Sequence, residues 1–278
     1  MKKFILVSVI FIVSACAKSF VKKPVTFTAL FAPGENTYYN MLINRTITIH
    51  EGDSIKNYIM KYTLKVKESV AEVSSEFITL NLKILKASGD VTHNGEPFAT
   101  GVFDNLKNHI ITVRLTPDGT IADIRGTEKI PTLLGTGAET MSDVEVFSFL
   151  YDYIKPGKLE PMQIYRKENR IGSKVYRYEG IDKTKGMGDA AYITFTGTFN
   201  VEDAGYKGTY PYKRITKGSS SGTIYHLLKD GRLLEGWEKF RIKDNYIFPR
   251  YNHLNREVMV YTELSVSRDQ ETGGKKHE

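Results

Sequence analysis

Hydrophobic and polar residues alternate along most of this chain with a period of two. Ile43, Arg45, Ile47 and Ile49 interleave with Asn44, Thr46 and Thr48; Tyr58, Met60, Tyr62, Leu64 and Val66 interleave with Ile59, Lys61, Thr63 and Lys65. Ile78, Leu80, Leu82 and Ile84 alternate in the same way with Thr79, Asn81 and Lys83. This period puts one set of side chains on a buried face and the other in water. Strands covered on both faces would read as unbroken apolar runs, so these are antiparallel-type strands with one wet face. Further candidates are Ile111–Leu115, Ile121–Ile124, Lys174–Glu179, Tyr192–Phe199, Thr223–Leu228, Arg232–Ile242 and Glu257–Val266. Glu51-Gly52-Asp53, Asn94-Gly95, Pro117-Asp118-Gly119 and Asp230-Gly231 punctuate the runs as hairpin turns do.

The period changes in the middle of the chain. Thr127 to Thr140 is rich in Gly and Thr and reads as an irregular linker. Ser142, with Glu145 three residues on, has the spacing of a capping box. Val146, Phe149, Leu150 and Tyr153 then fall on one face at helical spacing, and Lys155-Pro156-Gly157 ends the segment. One helix over 142–154 is predicted. The fold class is mainly β (α+β), with long curved antiparallel sheet and a half-barrel-like form. An N-terminal β half would span 25–130, a linker and helix 131–158, a C-terminal β half 159–268, and a polar tail 269–278. Shifting the chain by 112 residues superimposes Pro117-Asp118-Gly119 on the second Asp-Gly turn, so a duplicated half and two unrelated hairpins are both open readings.

The first residues have a different grammar. Lys2 and Lys3 precede an uncharged, mostly apolar run of twelve residues, Phe4 to Ala15. A bilayer core needs roughly 20 helical residues, so the run suits the h-region of a secretion signal better than a span. It ends in Val13-Ser14-Ala15-Cys16, which resembles the lipobox of bacterial lipoproteins. That resemblance implies cleavage of residues 1–15, diacylation of Cys16, and residues 16–24 as a lipidated tether to the membrane. Ala15-Cys16-Ala17 also fits the small-x-small pattern of ordinary signal cleavage, which would release a soluble protein. Ala17 is not the aspartate that resembles an inner-membrane retention signal, and this favours an outer-membrane anchor facing the periplasm. The sole cysteine of the chain is Cys16, so no intramolecular disulfide can form.

Composition adds little that is specific. Loss of residues 1–15 removes Lys2 and Lys3 and lowers the formal charge from +7 to +5. The excess is mild and dispersed, which argues against a nucleic-acid surface and is compatible with anionic headgroups. Seventeen tyrosines and fourteen phenylalanines fit pleated surfaces. Tyr38, Tyr39, Tyr58, Tyr62, Tyr176, Tyr178, Tyr192 and Trp237 read first as core and cross-strand partners, and second as a cavity lining.

Catalytic signals are poor. Gly218-Ser219-Ser220-Ser221-Gly222 satisfies the G-x-S-x-G pattern, but that motif needs a strand before it and a helix after it. A strand is predicted after it instead, so the segment reads as a flexible loop. His50, His93, His109, His226, His253 and His277 include no pair at the i, i+4 spacing of a helical metal site. No phosphate loop or calcium loop emerges, and no metal, cofactor or enzymatic activity is expected. The body loosely resembles the half-barrel of periplasmic lipoprotein carriers and lipid-binding lipoproteins. That likeness implies a non-catalytic module holding an apolar or amphiphilic ligand between sheet and helix; it carries no residues over, and Val146, Phe149, Leu150 and Tyr153 are the candidate wall from their helical spacing. The alternative is a structural or interaction lipoprotein whose strand edges serve another subunit.

Overall fold

The computed structural model describes residues 20–27, 31–130, 136–155, 157–169, 172–183 and 187–269. Cys16 and the signal segment lie outside these residues. The strands in chain order are β1 (Val25–Phe27), β2 (Asn36–Glu51), β3 (Ser54–Val73), β4 (Ile78–His93), β5 (Glu96–Thr100), β6 (Ile110–Leu115) and β7 (Ile121–Arg125). A helix, α1 (Gly137–Ser148), follows, then β8 (Gly157–Leu159), β9 (Ile164–Asn169), β10 (Gly172–Asp182), β11 (Ala190–Lys207), β12 (Tyr210–Leu227), β13 (Arg232–Ile247) and β14 (Arg256–Arg268).

The protein is mainly β, as the alternation predicts. One open antiparallel sheet runs β7-β6-β4-β3-β2-β14-β13-β12-β11-β10-β9, with β5 added beside β4 as its twelfth strand. β1 and β8 pair separately. Each half is a meander: the first runs from β2 at the middle of the sheet out to β7 at one edge, and the second from β9 at the other edge inward to β14. The halves join where β14 pairs with β2, from Arg256↔Glu51 to Arg268↔Tyr39. They therefore continue one another edge to edge. The Asp118-Gly119 and Asp230-Gly231 hairpins take unequal places, since β6–β7 ends the sheet and β12–β13 lies near its centre.

The inner face carries the predicted apolar set. Tyr39, Met41, Ile43, Ile47 and Ile49 of β2 are buried, as are Tyr58, Met60, Tyr62, Leu64 and Val66 of β3. Leu80, Leu82 and Ile84 of β4 continue the layer, and Phe240, Ile242, Val258 and Val260 continue it through β13 and β14. At 20 residues, β3 is about 66 Å long at the usual rise per residue. A sheet this large and twisted curls to cover its own apolar face. The two ends of the strand order approach each other: Lys167 Nζ on β9 donates to Gly119 O in the β6–β7 turn and to Ile154 O, both at 2.8 Å. Inside the curl, α1 packs on β13 and β14 and reaches β7.

The helix departs from expectation at both ends. It runs Gly137–Ser148, not 142–154, and its capping box is Thr136 with Glu139. Thr136 Oγ1 accepts from Glu139 N at 3.2 Å, and Glu139 Oε2 accepts from Thr136 N at 3.1 Å. Both Thr136/Glu139 and Ser142/Glu145 have the right spacing. Only the first sits where the chain enters in extended conformation, and there Asp244 of β13 also accepts from Ala138 N at 2.7 Å. That buried carboxylate satisfies an otherwise orphaned helix N–H and favours the positive end of the helix dipole. Phe149 to Tyr153 follow as turns, with Tyr151 N donating to Ser148 O and Ile154 N to Tyr151 O.

Gly218–Gly222 is not a loop but the middle of β12. A Cβ at Gly222 would lie 2.2 Å from Trp237 O, and one at Gly218 would lie 2.4 Å from Arg241 O. Close backbone approach, not flexibility, is what these glycines supply.

Candidate functional site

Val146, Phe149, Leu150 and Tyr153 come together beneath the sheet, each about 1% exposed. Val146 belongs to α1 and the other three to the turns that follow it. Phe149 packs against Gly236, where an added Cβ would come within 2.7 Å of its Cζ. The Tyr153 ring meets His226 edge-on at 5.2 Å. Burial alone pushes the His226 imidazole down to about 3, so it is neutral at physiological pH.

The helix is held to the sheet by charge as well as packing. Arg45 of β2, in phase with its apolar neighbours, donates from Nη2 to Asp143 Oδ1 at 2.7 Å. Burial raises the Asp143 carboxyl to about 6, although Arg45 pulls it down. Lys174 of β10 contacts Glu145 directly, and its Nζ lies 3.1 Å from Glu238 Oε1 and 3.6 Å from Asp152 Oδ2. Burial depresses the Lys174 ammonium, but its three carboxylate neighbours outweigh that and raise it. Glu238 is held well above the usual carboxylate range by burial, and then by Glu145. A third tie joins Glu68 of β3 to Arg232 Nη1 at 3.0 Å and to the Tyr151 hydroxyl, which donates at 2.6 Å. The ion pairs lie on the same inner face as the four predicted residues and are sealed from solvent. Among the described residues no group of three His, Cys, Asp or Glu side chains is arranged to hold a metal ion.

A second arrangement lies on the outer face, which sequence reasoning treated only as wet. The register lines up Thr223, Trp237, Ser265, Leu42 and Thr63 across β12, β13, β14, β2 and β3. The next row of the same face is Tyr225, Glu235, Ser267, Asn40, Lys65 and Lys86. Ser265 and Ser267 on the central strand are short, whereas Trp237 and Leu42 beside them are long. The result is a trough of about 640 Å³ that these residues line. Trp237 is 41% and Leu42 44% exposed, an apolar pair left open to water across a serine floor. The adjoining row is polar: Lys65 faces Lys86 across the β3–β4 ladder, and Lys65 Nζ lies 2.7 Å from Asp269 Oδ2. By composition alone Trp237 reads as one of the core aromatics. Its phase, opposite to Glu238 and Phe240, was the available signal. None of the four helix-side residues lines this trough.

No family model matches the chain, and no curated protein matches it in sequence. Among solved structures it is similar to lipovitellin, in a study of lipid–protein interactions, with 9% identity and a TM-score of 0.50. That match covers 90% of this chain and 27% of the other, so the chain spans about a quarter of that protein's length. The likeness is one of fold alone. Two weaker likenesses are an outer membrane channel from Pseudomonas putida F1 and a DUF1329 family protein from Desulfovibrio piger. The first has 8% identity, covers 87% of this chain and 97% of that one, and has a TM-score of 0.26. The second has 12% identity, coverages of 86% and 88%, and a TM-score of 0.15. Both superpose too poorly to bear on this fold.

Proposed function

We propose that this is a lipid-anchored, non-catalytic protein of the bacterial envelope that binds an amphiphile in the outer-face trough. The observation that carries the reading is the pairing of an exposed apolar wall, Trp237 and Leu42, with an adjoining row that holds Lys65 and Lys86. Its volume of about 640 Å³ falls within the usual range for small-molecule sites. An acyl chain lying over Ser265 would cover Trp237 and Leu42, and removing such surface from water is worth about 25 cal/mol per Å². A phosphate or carboxylate head would then meet Lys86, beside the Lys65–Asp269 pair. The trough is preferred to the space beneath α1 because Val146, Phe149, Leu150 and Tyr153 are already covered by protein. Lipidation of Cys16 at the outer membrane, facing the periplasm, would keep the trough close to a supply of amphiphiles. The fold shared with lipovitellin, a protein studied for its lipid interactions, agrees with this reading.

The test is native mass spectrometry of the protein with a lysophospholipid, set beside Ser265→Phe, which fills the trough from an exposed position. Saturable one-to-one binding lost in the variant supports the site; equal binding by both proteins removes it.

A further inference from the structure

The sheet has an interior edge as well as two terminal ones. β10 pairs with β11 only as far as Gly172↔Phe199, whereas β11 continues to Lys207. Among the described residues, positions 200–207 have a neighbour on the β12 side alone. This stretch is longer than either terminal strand, β7 with 5 residues or β9 with 6. Its pairing with β12 runs without a bulge from Ala190↔Leu227 to Lys207↔Tyr210. It contains no proline, and Tyr206 on it is 76% exposed. Edges of this kind are normally blunted by bulges, prolines or free charges. The acids here are engaged elsewhere. Glu202 pairs with Lys213 at 2.8 Å and Asp203 Oδ1 accepts from Arg214 Nε at 3.0 Å, both on β12 and so away from the open side.

We infer that residues 200–207 of β11 are a self-association edge, pairing antiparallel with the same segment of a second copy of this chain. The register is specified by charge. A two-fold axis perpendicular to the sheet requires one residue to face its own copy. Glu202 or Asp203 in that position would set like charges opposite each other, which destabilises a ladder. Gly205 in that position gives a ladder of only about five residues, because its register soon runs past Lys207 into the turn. Ala204 gives the longest ladder with no facing like charges. Asp203 then meets Gly205, Glu202 meets Tyr206, and Val201 meets Lys207. Strand addition supplies main-chain hydrogen bonds, and the Tyr206 ring gains a partner strand to lie across. This inference is independent of the amphiphile reading, since the trough lies on the face of other strands.

The experiment uses the full chain carrying Cys16→Ser, which leaves no native thiol. Ala204→Cys in that background should form a disulfide-linked dimer under mild oxidation. Glu202→Cys should not, because Glu202 faces Tyr206 and the two cysteines would be offset along the ladder. In light scattering, Ala204→Lys and Ala204→Glu should each weaken the dimer about fivefold, and mixing the two should restore it. Circular dichroism of each variant guards against unfolding, which is not expected at an exposed position. A chain that stays monomeric at high micromolar concentration would overturn the inference. So would Glu202→Cys linking as readily as Ala204→Cys, or a dimer indifferent to both charged substitutions.

Discussion

Replacing Lys174 with methionine removes the cation that three buried carboxyl groups share while keeping most of the side chain's volume. Lys174 is about 2% exposed in its side chain, and its partners Glu145, Glu238 and Asp152 are similarly buried. Glu238 is pushed well above the usual carboxylate range, by burial and then by Glu145. Without Lys174, the buried side chains of Glu145, Glu238 and Asp152 lose the ammonium they share. Removing one partner of a buried pair typically costs about 3–5 kcal/mol, and that is the loss expected at pH 7. The loss should depend on pH. A carboxyl raised in the folded state keeps a proton that the unfolded chain releases above about pH 4.3. The folded state then binds more protons than the unfolded one, so stability falls as pH rises, by about 1.4 kcal/mol per unit for each extra proton. Between pH 5 and pH 7 one such proton accounts for about 3 kcal/mol. Lys174 pulls the Glu238 carboxyl down in wild type, so without it that carboxyl rises further, and the deficit of Lys174→Met should grow from pH 5 to pH 7. Urea denaturation of both proteins at pH 5, 6, 7 and 8 measures this directly. A deficit under about 1 kcal/mol at pH 7, or one equal at pH 5 and 7, would refute the picture of a sealed ionic tie.

Two further outcomes follow from other parts of the chain. Cys16→Ser should move the protein from the membrane fraction to the soluble fraction; equal membrane retention would place the anchor elsewhere. Gly236→Ala sets a methyl 2.7 Å from Phe149 Cζ and 2.8 Å from Thr223 O, and should cost about 1–3 kcal/mol in urea denaturation, whereas neutrality would mean that the residues after α1 pack loosely.

Much of the sheet was legible because strand burial is a local, period-two property. Tyr58 to Val66 and Ile78 to Ile84 lie on the predicted faces, and Gly52, Gly119 and Gly231 turn where expected. The joint between β2 and β14 was not legible, because it brings together segments some two hundred residues apart that carry no mark of each other. The helix was found but misplaced: Thr136 sits in a Gly- and Thr-rich stretch, and its advantage over Ser142 comes from Asp244 on a remote strand. Arg45 did announce itself by standing in phase with Ile43 and Ile47. That it was buried beside Asp143 depended on the helix position, which local pattern did not fix. The trough was missed for a similar reason. Ser265 and Ser267 are ordinary polar positions along β14, and become a floor only when Trp237 and Leu42 arrive on either side.

The chain contains one tryptophan, and it lines the trough, so its emission reports on the proposed site without any label. Titrating a lysophospholipid below its micelle concentration should shift Trp237 emission to the blue with a saturable curve, and Ser265→Phe should abolish the shift while keeping the circular dichroism of wild type. An emission maximum that does not move in the wild-type protein, or moves equally in Ser265→Phe, would contradict amphiphile binding at this face.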